Sequence, residues 1–287
     1  MRNRPRAEGL IPKNKTILPF GYVGIDAVFQ QMKRRAMKRG LALNLLIVGE
    51  FPKLHVVHLQ LWGSGMVYFG AGLTCWTPIL RFISEQYEQY LVEERRLHRK
   101  CHVPDTRVHC CLYCIPPSGH MLRPLDVEVL KRLSPVVNLV PVISKADALT
   151  PTERTTFRHQ IQADMAAHGI DFFPQIILDE DPLTTAGNQA LRMPFAVVGS
   201  EVEHEQDGTN VLGRKTSWGI IEVENPAHCE FVHLRDLLIR SHMQDMKDVT
   251  EKVLYEAYRT RRLAESDKQS DGLLSNGSQH LFNESYL

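Results

Sequence analysis

The sequence predicts an α/β domain with a mostly parallel sheet and helices on both faces. Two observations carry that prediction. The runs at 43–48, 108–115, 136–143 and 194–199 are apolar on both strand faces rather than at alternate positions, interrupted only by Asn44, His109 and Asn138, as strands covered on both faces are. Segments with helical spacing and helix start or stop signals lie between them, the alternation expected of parallel strands joined by crossovers. In such a sheet the ligand site lies where strands end, here after 45–49, 140–147 and 196–199.

The elements follow in order. A basic, extended arm covers 1–18, after which Ile25, Val28, Phe29, Met32 and Ala36 recur at helical spacing and Gly40 supplies a stop. Strand 43–48 comes next, and from Phe51 to Cys75 neither a helical nor a strand period is convincing. Thr77-Pro78 reads as a capped helix start, with Ile79, Phe82, Ile83 and Tyr90 as its apolar stripe. Strand 108–115 (VHCCLYCI) leads through PPSGHMLRP to a short helix at 126–133, then to strand 136–143.

In SKADALTPTE, Thr150 and Glu153 form a capping box around Pro151 and start a helix running to Gly169. A short strand at 194–199 precedes VLGRKTSWGIIEVEN, which reads as a hairpin turning at 213–217. Helices at 231–244 and 248–263 follow, and the Ser-, Asn-, Asp- and Gly-rich tail 264–287 is predicted to be disordered.

The chain of 287 residues is 43% hydrophobic, enough to fill a core. Neither an apolar leader nor a run of roughly 18 apolar residues occurs, so the expected location is the cytosol. Six irregularly spaced cysteines read as free thiols. The formal net charge is only +1, yet residues 1–40 carry ten Lys or Arg against Glu8 and Asp26. The cluster Lys33, Arg34, Arg35, Lys38 and Arg39 is a solvated face or an anion-binding surface. Aromatic residues are not interleaved with it, which argues against nucleic acid.

His109, Cys110, Cys111 and Cys114 invite a zinc reading, but alternate residues of a strand face opposite ways and do not converge on one ion. No metal site is expected. The sequence holds no Gly-x-Ser-x-Gly and no His-Glu-x-x-His.

The most informative tetrapeptide is SKAD, Ser144 to Asp147. At a strand end, an Asp accepts two hydrogen bonds from the N1 and N2 donors of guanine, while the Lys stem packs along the ring. Adenine offers no such donor pair. Alone the match is weak, but a strand precedes it and a capped helix follows.

The blocks GYVGIDAVFQQMKRRAMKRG, PDTRVHCCLY, SGHMLRPLD, NLVPVISKAD, PFAVVGS, LGRKTSWGIIEVEN, HCEFVHLRDLLIRSHMQDMKD and YEAYR together resemble the septins, in particular the subgroup lacking a C-terminal coiled coil. The resemblance covers about 19–50 and 75–263. It implies a P-loop GTPase-like domain with a family-specific C-terminal hairpin and helices, in a cytoplasmic, cytoskeletal protein of cell division and cytokinesis. Such proteins bind GTP or GDP and form filaments with other septins through two interfaces, one across the nucleotide and one made by the terminal helices, residues 22–40 and 231–263 here.

By the same resemblance, Lys145, Ala146, Asp147 and Glu153 belong to the base-recognition loop, with Lys145 and Asp147 as the guanine contacts. Gly199 offers a backbone contact on the base side, and Arg214 packs against the base. His120 and Trp218 lie at the interface across the nucleotide. Lys33, Arg34, Arg35, Lys38 and Arg39 match a polybasic stretch that meets anionic phosphoinositide membranes.

The departure is equally specific. Gly-x-x-x-x-Gly-Lys-Ser/Thr should open at Gly49, but the sequence reads GEFPKLHV, and neither a Gly-Lys pair nor the Asp-x-x-Gly switch motif occurs anywhere. The backbone cradle for the phosphates, the phosphate Lys and the Mg²⁺ hydroxyl are therefore missing. The interval is also too short for a phosphate loop, a helix, a switch and two strands, so one or two core strands are expected to be absent. The expectation is an incomplete septin-type domain at 19–263 with 50–74 as an aberrant segment from altered splicing or a faulty gene model. Nucleotide binding would be weak or lost and hydrolysis undetectable. The alternatives are an active GTP-hydrolysing septin whose phosphate loop is omitted from this version, and a truncated product without function.

Overall fold

The computed structural model describes residues 30–31, 42–49, 54–60, 63–69, 76–98, 103–174, 192–206 and 208–266. The chain divides into two units, 1–41 and 42–287. Of the first, only the helical residues 30–31 are described, so the basic arm, the helix expected from Ile25 and Lys33, Arg34, Arg35, Lys38 and Arg39 lie outside the described residues.

The second unit is built on a six-stranded sheet of order β3-β2-β1-β4-β5-β6. Its strands are β1 (Ala42–Gly49), β2 (Leu54–Gln60), β3 (Gly63–Phe69), β4 (Cys110–Ile115), β5 (Leu139–Ile143) and β6 (Phe195–Ala196). The pairs β1–β4, β4–β5 and β5–β6 are parallel, while β1–β2 and β2–β3 are antiparallel.

The predominantly apolar runs are explained by two cores, one on each face of the sheet. On one face Leu46, Val48, Cys111, Tyr113 and Ile143 pack under three helices, α1 (Thr77–Arg95), α2 (Pro124–Leu133) and α3 (Pro151–Ala167). Leu45, Cys110, Leu112, Val140 and Val142 lie on the other face, with Leu234, Leu237, Leu238 and Met246. Those last four belong to α4 (Phe231–Arg235), which widens into π-helical turns over Asp236–Ser241, and to α5 (Met243–Val249), which widens over Thr250–Tyr255. Helix then continues through residue 266, three residues into the expected tail.

The last helix is clamped to α1 by Tyr255 Oη, which donates to Glu94 at 2.6 Å, and by Tyr258 Oη, which donates to Glu88 at 2.7 Å. Beneath it lies a buried polar network. Arg107 donates from Nε and Nη2 to the two oxygens of Asp105, and stacks on the Tyr90 ring at 4.0 Å. His109 bonds Asp105 through Nε2 and accepts the Asn44 N–H at Nδ1. Burial alone would raise the Asp105 carboxyl, but the bonds from His109 and Arg107 outweigh it and hold that group well below the usual range.

The structure corrects several expectations. Residues 54–60 and 63–69 are not structureless but form a hairpin, so two strands do occupy the interval in which core strands were expected to be missing. Adjacent valines in LHVVHLQ and glycines in GSGMVYF blur the two-residue period that would have marked them. Trp76, not Thr77, holds the cap position of α1, and no side chain caps it. The later hairpin turns at 217–218 instead of 213–217: β8 (Thr209–Thr216) pairs with β9 (Gly219–Glu222), and β7 (Glu203–Gln206), not foreseen, adds a third strand. Gly213 lies inside β8, where a Cβ would meet Ile220 at 2.8 Å and the Ile221 carbonyl at 2.9 Å, so close packing rather than a turn requires it.

Candidate functional site

The ends of β4, β5 and β6 are tied into one ledge. Ser144, the first residue beyond β5, donates its N–H and its hydroxyl to the Ile115 carbonyl at the end of β4, at 2.9 and 3.1 Å. Lys145 then adopts a left-handed conformation at φ 49°, a region a branched or bulky side chain enters only at a cost. That reversal brings the Ala146 N–H to the Val197 carbonyl at 3.1 Å, joining the loop to the segment beyond β6. It also leaves Lys145 exposed and sets Asp147 in a short 3₁₀ turn.

The capping box forms as expected, with Glu153 N–H donating to Thr150 Oγ1 at 3.3 Å and Thr150 N–H to Glu153 Oε2 at 2.9 Å. That carboxylate also accepts from the Thr150 hydroxyl, so Glu153 supports the loop from behind. Gly199 is exposed, and a Cβ there would touch nothing within 4 Å.

Arg214, on β8, reaches the loop. Its Nη1 lies 3.3 Å from both carboxylate oxygens of Asp147, with the Arg side chain 45% exposed and that of Asp147 10%. Its strand is fixed by Ser200 Oγ, which donates to the Gly213 carbonyl at 2.5 Å, and by the Gly213 N–H, which donates to the Val202 carbonyl at 3.0 Å. The structure thus brings Lys145, Ala146, Asp147, Gly199 and Arg214 to one end of the sheet. His120 and Trp218 are exposed, Trp218 by 96%, and no hydrogen bond described joins either side chain to that group.

Sequence reasoning missed the clasp that holds the ledge. Arg158 Nη2 donates to both oxygens of Glu230 at 2.6 Å, and Glu230 Oε2 accepts the Ala196 N–H at 2.8 Å. The Glu230 N–H returns to the Ala196 carbonyl at 2.8 Å. Arg158 lies on α3 and Glu230 just before the helix that starts at Phe231, 72 residues apart, so no local spacing signals the pairing.

The phosphate end is built differently. Only four residues separate Gly49 from β2, and β2 runs back along β1 with Ile47 opposite His55. A phosphate loop must instead feed a helix whose N-terminal amides face the anion. Gly49 has another reason to be glycine: a Cβ there would meet Cys114 Cβ at 2.6 Å and the Cys114 carbonyl at 2.8 Å, so it permits the close approach of β1 to β4. Among the described residues, Gly49 thus leads to an antiparallel strand and not to a helix N-terminus.

His109 is committed to Asp105 and Asn44, while burial raises the thiols of Cys110 and Cys111 and pushes that of Cys114 up to about 12. Among the described residues no cluster of His, Cys, Asp or Glu could hold a metal, and no helix is long and apolar enough to cross a membrane.

A model of the septin family matches residues 66–272, well over half the chain. The chain belongs to the septin family. Its sequence is 46% identical to Septin-12 of Bos taurus over 306 residues, covering 91% of this chain and 85% of that protein. Septin-9 of Homo sapiens is 44% identical over 325 residues, 95% of this chain, and the present septin spans only 56% of that relative's length. A crystal structure of the septin GTPase domain from Chlamydomonas reinhardtii shares the fold, with a TM-score of 0.54 at 22% identity, over 80% of this chain and 84% of that one.

Proposed function

We propose that this septin acts by assembly with other septins into cytoskeletal filaments, with guanine-nucleotide binding weakened or lost and no GTP hydrolysis. One observation carries the reading: Lys145, Ala146, Asp147, Gly199 and Arg214 gather at one end of the sheet, while the strand after β1 pairs antiparallel to it where a phosphate loop and its helix would stand. The residues left for the nucleotide are Lys145, Ala146, Asp147, Gly199 and Arg214. A few neutral hydrogen bonds at about 0.5–1.5 kcal/mol each, with one charged partner at about 3, are a small fraction of what a cradle of charge-assisted phosphate contacts provides.

The length of the alignment supports loss of a segment. The match to human Septin-9 runs over 325 positions and takes in 95% of this chain's 287 residues, about 273, so about 52 of the aligned positions face a gap here. That favours, as a second reading, a shortened version of an active GTP-binding septin.

Assembly would use the surface around His120 and Trp218, whose exposed ring is the kind of anchor a partner covers, together with the helices at 231–263. Lys33, Arg34, Arg35, Lys38 and Arg39 would meet anionic lipid, each contributing about 1 kcal/mol near the surface. The test is to mix the purified chain with other septins and image the product by electron microscopy. Incorporation into filaments, lost on Trp218→Ala, supports the reading; failure to enter any assembly refutes it.

A further inference from the structure

The two edges of the six-stranded sheet differ. At β6 the outward N–H and C=O of Ala196 are both taken by Glu230, which closes that edge. At the other end, no strand lies beyond β3 among the described residues. Its sequence, GSGMVYF, contains no Lys, Arg, Asp, Glu or Pro, the devices with which natural proteins keep an edge from pairing.

The register shows which backbone groups point outward. Gln60 is opposite Gly63 across a two-residue connection, so that pair closes the hairpin and exchanges both of its hydrogen bonds. Alternation along the ladder then turns the N–H and C=O of Gly63, Gly65, Val67 and Phe69 toward β2. Those of Ser64, Met66 and Tyr68 are turned away from it.

We propose that β3 is a self-association edge, and that two copies of this chain pair β3 with β3 antiparallel about a two-fold axis at Met66. The outward set is symmetric about that residue. Met66 meets Met66 of the partner copy while Ser64 meets Tyr68, and each pair exchanges both of its bonds. A two-fold contact requires such self-complementarity, and the uncharged strand sets no like charges against each other across the seam. This edge belongs to neither assembly surface invoked above, and the proposal does not depend on whether nucleotide binds.

The test uses the full 287-residue chain in sedimentation velocity over a range of concentrations, with two variants. Met66→Pro removes an outward N–H and leaves the bonds to β2 intact, so it should weaken the dimer about tenfold or more. Met66→Cys places two thiols opposite one another with Cα atoms about 5.5 Å apart, within disulfide range. Mild oxidation should link them, as peptide mapping by mass spectrometry would show. A chain that is monomeric at every concentration overturns the proposal. So does a dimer that persists in Met66→Pro and forms no link at position 66. Should the proline variant fail to fold, the presence or absence of the link at 66 decides.

Discussion

Arg214 Nη1 lies 3.3 Å from both oxygens of Asp147, the carboxylate that would read the donor edge of guanine. A guanidinium presents N–H donors as that edge does, so under the function proposed above Arg214 would hold the acceptor that a guanine base requires.

The pair is nearly half-exposed on the arginine side and therefore worth little to the fold. Arg214→Ala should cost no more than about 1 kcal/mol in urea unfolding. A loss several times larger would show that Arg214 organises the β8 strand and not merely its own ion pair.

Asp105 should matter far more. Its partner Arg107 is 6% exposed, so Asp105→Ala leaves a buried cation without its counter-ion and should cost about 3 kcal/mol or more. The sign of the pH dependence follows from the lowered carboxyl. The stabilisation is complete above the ordinary Asp value of about 4 and is lost as pH falls below it toward the depressed folded value. Acid unfolding curves of the parent chain and of Asp105→Asn should converge at low pH.

Glu230→Ala would leave Arg158 and the Ala196 N–H without their acceptor in a largely buried position. It should cost about 1–3 kcal/mol and speed hydrogen exchange at Ala146 and Val197, because β6 holds the ledge beside the base loop. Unchanged exchange there would mean that the ledge stands without the clasp.

Gly49→Ala separates two roles for that glycine. A Cβ within 3 Å of Cys114 must push β1 from β4, so a loss of about 1–3 kcal/mol in thermal or urea unfolding is expected. A neutral effect would undercut the packing role assigned to it.

Much of this was legible beforehand. The runs 43–48, 108–115 and 136–143 are apolar apart from Asn44, His109 and Asn138 because the sheet is covered twice, and the Thr150–Glu153 box and the SKAD loop lie where local chemistry puts them. What failed was non-local or weakly patterned. The hairpin at 54–69 hides its period behind adjacent valines and glycines, and Gly213 was read as a turn although it answers to Ile220 and Ile221 across the ladder. The Arg158–Glu230 clasp and the Asp105–Arg107–His109 network depend on which surfaces meet, which no local spacing encodes.

The most direct measurement of the central claim is nucleotide on the purified chain, by extraction of bound GDP or GTP and by titration with labelled GDP in Mg²⁺. The account predicts no retained nucleotide and no tight saturable binding, because a base ledge alone lacks the phosphate contacts. Stoichiometric nucleotide with tight, Mg²⁺-dependent binding would contradict it and would require another segment of this chain to cradle the phosphates.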